Sequence, residues 1–160
     1  MWREKQSIMI NLRPVDKNNW VACVKLSLLP EQEGNLAPNV YTIAESKFNA
    51  HYQLRAIYKD DEVVGFLAYC NEDDPIDTEL YWLFRFMLDK NNQGKGFASL
   101  ALDLVVEEVI SLEGKRLRTM CKPTNTVAEK VYQGFGFKQI GMLDDGDILF
   151  EIQLDEYDKI

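Results

Sequence analysis

At 160 residues, with 46% hydrophobic and 28% charged side chains, the chain is long enough for one domain with a core that needs no metal or disulfide staple. That composition excludes a disordered tail, collagen and coiled coil. Lys and Arg total 18 against 26 Asp and Glu, a formal net charge of −8, which argues against the broad phosphate-binding surface of a general nucleic-acid protein.

The start, Met1-Trp2-Arg3-Glu4-Lys5-Gln6-Ser7, has no apolar run behind its charges, and no stretch approaches eighteen apolar residues. Cys23, Cys70 and Cys121 are odd in number, widely spaced and set in apolar strings without zinc-ligand spacing. The expectation is a soluble, cytoplasmic protein with reduced thiols, no membrane segment and no metal site.

Ser7 to Leu12 reads as a first strand, and Asp16 as the N-cap of a helix through Trp20, Val21, Val24, Lys25 and Leu28. Pro30, Gly34 and Pro38 break the chain. A second helix, about Asn39 to His51, carries Val40, Ile43, Ala44 and Phe48 as an apolar stripe. A hairpin follows, Leu54 to Tyr58 and Val63 to Tyr69, turning at Asp60-Asp61. An acidic loop, Asn71 to Asp77, leads into Leu80 to Leu88, apolar on both faces and hence a central strand. Between Leu28 and Glu79 stand eleven acids and three bases. That window holds the whole net charge and would steer a cation inward; the plainer alternative is a set of solubilising turns.

After Asp89, the positions Phe97, Leu100, Ala101, Leu104 and Val105 mark a long amphipathic helix to about Leu112, with Gly114 as its stop. Arg116 to Cys121 is a strand, and Pro123-Thr124-Asn125 opens a helix that Gly134-Phe135-Gly136 ends. Phe137 to Met142 and Ile148 to Leu154 form a hairpin about Asp144-Asp145-Gly146-Asp147. The order β-α-α-β-β-β-α-β-α-β-β, without internal repeat or linker, predicts an α/β fold over residues 1–160 as a single domain.

Two constellations carry chemistry. The first is the run Gln93-Gly94-Lys95-Gly96-Phe97-Ala98-Ser99 between a buried strand and a helix. A glycine turn at a helix N-terminus presents backbone N–H groups to an anion, which suits a diphosphate. A P-loop would need Ser or Thr where Gly96 stands, and a dinucleotide fingerprint would need Gly where Ser99 stands. A plain tight turn is the alternative. The second is Asn125-x-x-Ala128-x-x-x-Tyr132-x-x-x-Gly136-Phe137, which sets an amide, a small residue and a phenol on one helix face. Alone, Tyr132 could equally be a core tyrosine bonded to backbone.

Together these segments resemble the GCN5-related N-acetyltransferase (GNAT) family from about Glu79 to Phe137, with compatible element order over nearly the whole chain. The resemblance implies a mixed, mostly antiparallel central sheet flanked by helices, and acetyl-CoA as cosubstrate. The family's Arg/Gln-x-x-Gly-x-Gly/Ala pattern matches Gln93-x-x-Gly96-x-Ala98, so Gln93, Gly94, Lys95, Gly96, Phe97, Ala98 and Ser99 would cradle the pyrophosphate. Phe86, Met87 and Leu88 would give backbone contacts to pantetheine where the strand splays from its neighbour. The family's helix asparagine matches Asn125, and its thiolate-protonating tyrosine matches Tyr132. A phenol near pKa 10 can protonate a departing thiolate as the carbon–sulfur bond breaks.

More narrowly, Pro38 to Glu45, Val64-Gly65-Phe66 and Trp82 to Asp89 resemble the bacterial spermine/spermidine (diamine) N-acetyltransferases. That likeness implies a polyamine acceptor, with Glu31, Glu33 and Glu79 holding its distal ammonium groups. Some relatives carry an acid two positions after the strand tryptophan, where this chain has Phe84, so the base has no secure counterpart. Glu79 acting through water is the candidate, with a solvated loop-edge charge as the alternative. Arg85 is read as half of a buried ion pair, and His51 as lying on an exposed helix end. Competing readings keep the fold with another amine (amino acid, aminoglycoside or protein), or make the chain a non-catalytic acyl-CoA sensor. Many relatives are dimers, so a homodimer is an expectation too.

Overall fold

The computed structural model describes residues 8–73 and 76–155. Its elements run β1 (Ile10–Pro14), α1 (Trp20–Val24), α2 (Asn39–Glu45), β2 (Gln53–Lys59), β3 (Glu62–Asp73), β4 (Ile76–Leu88), α3 (Phe97–Ser111), β5 (Arg116–Cys121), α4 (Thr126–Phe135), β6 (Lys138–Met142) and β7 (Ile148–Gln153). The expected order is found. The strands form one seven-stranded sheet in the order β1-β2-β3-β4-β5-β7-β6. Only the β4–β5 pair is parallel. α3 crosses over between those two strands, as a parallel pair requires.

β4 is fourth of seven, and residues buried on both of its faces put it there. Leu83 and Leu88 join the core under α3 and α4, while Met87 joins a second core with Cys23, Leu54, Ala56 and Phe66. α1 packs against α2 and β3 over that second core. The sheet thus separates two apolar layers.

Several boundaries differ from expectation. The first strand begins at Ile10; Ser7 lies outside the described residues. Asp16 caps the turn that leads into α1: its Oδ1 accepts from Asn18 N (2.8 Å) and Asn19 N (3.2 Å) and its carbonyl from Trp20 N, while the N-cap of α1 itself is Asn19. α2 ends at Glu45, so His51 is past the helix, half-buried with its ring edge-on to Tyr52 at 5.0 Å. The supposed acidic loop is largely strand, because β3 and β4 extend to Asp73 and from Ile76. At the end of α3 the left-handed residue is Glu113 (φ 68°), and Gly114 serves packing instead. A Cβ on Gly114 would collide with Val109 Cγ1 and crowd the Tyr81 ring.

Candidate active site

β4 and β5 pair only over Leu80–Leu83 and Arg116–Thr119, after which they part. Beyond the fork β4 stays bonded to β3, with Leu67 opposite Phe86, Phe66 opposite Met87 and Gly65 opposite Leu88. β5 continues through Met120 and Cys121 against β7 alone. The β5-facing backbone groups of 84–88 therefore have no strand partner, and such an edge is a template for an extended ligand. A bulge accompanies the parting: the β3–β4 register steps from Ala68 opposite Arg85 to Tyr69 opposite Leu83, leaving Phe84 extra. A bulged strand bends and twists more strongly. Thr119 closes the fork, its Oγ1 donating to Leu83 O at 2.8 Å.

Past Asp89 the chain makes a 3₁₀ turn, Lys90–Asn92, and reaches Gly94 (φ 72°) and Gly96 (φ 81°). Any other residue would be strained there. Open space lies where a Cβ would project from either glycine. Gly96 is the N-cap of α3, with no side-chain cap and no acid in the first turn. The leading amides of a 15-residue helix are left for an anion. The Gln93 side chain is engaged elsewhere. Its Nε2 donates to Leu88 O (3.1 Å) and Gln32 Oε1 (2.9 Å), and its Oε1 accepts from Gln32 Nε2 (2.9 Å).

Asn125 caps α4, its Oδ1 accepting from Ala128 N at 3.2 Å. Two turns on, Tyr132 is 4% exposed. Its ring packs among Phe86 (6.4 Å), Phe137 (5.5 Å) and Phe150 (5.8 Å). Burial pushes the phenol up to about 12, opposed by a hydrogen bond with the Thr119 hydroxyl. The phenol is thus held protonated throughout the neutral range, beside the residue that closes the fork.

These parts surround a cleft of about 240 Å³, lined by β4 (Phe86, Met87, Leu88), the glycine bend and α3 start (Gln93, Gly94, Gly96 to Ser99), and α4 (Asn125, Ala128, Tyr132). Its remaining wall includes Leu28, Gln32, Asn35 and Leu36 from the connection between α1 and α2. No local pattern marks those residues, because Gln32 meets its partner 61 positions away. Val127 and Val131 also line it; helical spacing of three from Ala128 could have found Val131.

Lys95 is exposed and outside the lining, and Phe97, 3% exposed, can offer only its backbone. Glu31 and Glu33 are exposed on either side of Gln32, at the cleft rim. Glu79 is not brought to this cleft. It is exposed at the other end of β4, lining a separate pocket with Lys115 and Asp155. Seven residues of strand separate it from Phe86, roughly 23 Å at about 3.3 Å each. Arg85 bonds a hydroxyl instead of a carboxylate in the contact it makes, Nε to Thr42 Oγ1 at 2.7 Å. The acidic window is also divided. Asp60 and Asp61 turn at the end of β2, whereas Asp77 lies toward the start of β4 and pairs with Arg116 at 2.7 Å.

The model of the acetyltransferase (GNAT) family matches residues 20–137. The chain belongs to that family. Two curated relatives from Bacillus subtilis are a probable spermine N(1)-acetyltransferase of the natto subspecies and a spermine/spermidine N(1)-acetyltransferase of strain 168. They are 28% and 27% identical over 139 residues, covering 84% of this GNAT chain and 91% of each relative. Among solved structures, spermidine N-acetyltransferase from Vibrio cholerae, in complex with CoA and spermine, shares the GNAT fold. Its TM-score is 0.74 at 12% identity, over 92% of this chain and 96% of that one.

Proposed function

We propose that this GNAT chain transfers the acetyl group of acetyl-CoA to a primary amine of a small polycation, with spermine and spermidine as the first candidates. The observation that carries the reading is the fork, where an unpaired β4 edge meets a glycine bend at a helix N-terminus and a buried phenol. Left-handed, unobstructed Gly94 and Gly96 fit a diphosphate, held by the amides from Gly94 to Ser99. The free edge at Phe86 suits the amides of a pantetheine arm, whereas the Met87 carbonyl is turned toward Gly65 of β3. Leu88 O is already an acceptor for Gln93. Asn125 keeps its Nδ2 as a donor, since only its Oδ1 is used in the cap.

Acetyl-CoA supplies an activated thioester. Backbone N–H groups beside the Phe84 bulge polarise its carbonyl. Tyr132 gives its proton to the sulfur as the carbon–sulfur bond breaks; the amine nitrogen, bonded to the acyl carbon, loses its extra proton to water, and water returns a proton to the phenolate. Held protonated at neutral pH, it is in the state a general acid needs. The names of the curated relatives favour a polyamine, and Glu31 and Glu33 at the rim suit distal ammonium groups. Glu79 takes no part in this reading.

Thiol release from acetyl-CoA, assayed against a panel of amines, tests the assignment. Spermine and spermidine should lead the panel, and KM for them should rise with ionic strength through Glu31 and Glu33. Turnover confined to amino acids or aminoglycosides would overturn the polyamine reading. Tight CoA binding without turnover on any amine would make the chain a sensor.

A further inference from the structure

We propose that the connection from Ser27 to Leu36 is a strap fastened across the acyl-CoA cleft, and that Gln32 is the positioning residue that holds it over bound CoA. This rests on the acyl-CoA reading of the cleft, and it concerns residues that the fork, the glycine bend and Tyr132 leave unexplained.

The strap is tied to both walls. At one end Ser27 N donates to Asp89 Oδ1 (2.9 Å) and Lys90 N donates to Ser27 O (2.7 Å), joining it to the exit of β4. In the middle the Gln32 and Gln93 amides exchange two bonds of 2.9 Å, and Gln32 Oε1 also accepts from Leu29 N at 3.2 Å. On the far side Lys122, in the loop after β5, donates from Nζ to the carbonyl of Gly34. The ties bridge 61 to 88 positions of sequence, so none of them merely stabilises a local turn. Between the anchors, Leu28, Gln32, Asn35 and Leu36 face the cavity. Leu28 and Leu36 would cover a pantetheine arm with apolar surface and keep water from the thioester.

Gln32 is chemically specific. Gln93 Nε2 also donates to Leu88 O, which fixes the orientation of the Gln93 amide and aims its Oε1 at Gln32. Position 32 must therefore donate and accept at once. A glutamate there has nearly the same shape but, when ionised, cannot donate. Opening the strap breaks a few hydrogen bonds and lifts Leu28 and Leu36 from the margin of the second core, while the buried residues of that core stay in place, so it can open locally while the sheet stays folded.

The test is the dissociation rate of CoA from the full chain, measured by stopped flow for wild type, Gln32→Glu, Gln32→Leu and Lys122→Met. About 0.5 M salt screens the charge lost from Lys122. Each variant should release CoA roughly tenfold faster, the weight of one or two ordinary hydrogen bonds. Hydrolysis of acetyl-CoA without amine should rise relative to amine-dependent turnover, a ratio that simple loss of folded protein does not move. If wild type binds CoA and the variants release it at the wild-type rate, the strap is refuted while the acyl-CoA reading stands. If wild type does not bind CoA, both fail. Should the Gln32 variants not fold, Lys122→Met decides alone, since Lys122 is exposed.

Discussion

Gly65→Ala tests how closely the open edge of β4 is held from behind. Gly65 lies opposite Leu88 on β3. A Cβ there would meet the Met87 carbonyl oxygen at 2.6 Å, Ile57 Cδ1 at 2.9 Å and Leu88 Cδ2 at 2.9 Å. The nearest atom is backbone and cannot rotate away, so restoring ordinary contact near 3.4 Å moves β4 outward by about 0.8 Å. Overpacking of this kind costs about 1–3 kcal/mol. At about 2–4 °C per kcal/mol for a chain of this size, the melting midpoint should fall by roughly 2–12 °C. The displaced segment is the one proposed to bond pantetheine, and a misplacement near 1 Å can cost up to about a hundredfold in rate. Thermal unfolding followed by CD, with KM for acetyl-CoA measured on the folded fraction, reads both effects. A variant that melts with wild type and keeps its KM would refute the claim that β3 sets the position of this edge.

Tyr132→Phe keeps the ring packing against Phe86, Phe137 and Phe150; kcat should fall by about 10²–10⁴ while the Kd for CoA by calorimetry stays put, and a comparable loss in both would deny the phenol its role as acid. Folding stability should decline in alkali because burial raises the thiols of Cys23 and Cys121 from 9.0 to about 11. The fold favours the neutral thiol, so this contribution is complete below pH 9 and disappears as pH climbs through 11; each is on the order of 2–3 kcal/mol at about 1.36 kcal/mol per pKa unit. Urea unfolding at about pH 8 and pH 11 should show the loss. Cys23→Ala should remove about half of it, and an unchanged slope in that variant would mean other groups are responsible.

The strands were legible where pattern and burial agree. Leu80 to Leu88 is apolar on both faces and does sit mid-sheet, and the Asn125 to Tyr132 spacing does set a cap and a phenol on one helix face. The glycine bend was legible because Gly94 and Gly96 take a conformation that few other residues tolerate. The partner of the Gln93 side chain was not legible, since a motif names a residue without saying what its amide will meet, and here that partner is Gln32. Glu79 was misjudged for a similar reason: its distance from the cleft follows from the length and direction of β4. The acidic window looked like one field because its residues are consecutive, yet antiparallel turns send neighbouring charges to opposite ends of a sheet. Gly114 looked like a helix stop, but the left-handed turn fell one residue earlier, on Glu113, and Gly114 is small because Val109 and Tyr81 crowd it.

One local irregularity organises the site. An extra residue at Phe84 in an otherwise continuous antiparallel ladder accompanies the departure of β4 from β5 after only four parallel pairs. Had the pairing run on, the outward backbone groups of Phe86 would be spent on β5, and no edge would remain for a ligand. Parting the strands would strand polar groups in an apolar layer, and Thr119 limits that cost at the last paired position. It carries one hydroxyl proton, which goes to Leu83 O, so the carbonyl at the parting point is satisfied from the side of β5. The same hydroxyl opposes the upward push that burial gives the Tyr132 phenol. In this arrangement the residue that closes the fork also stands beside the proposed acid, at the point where the proposed thioester must break.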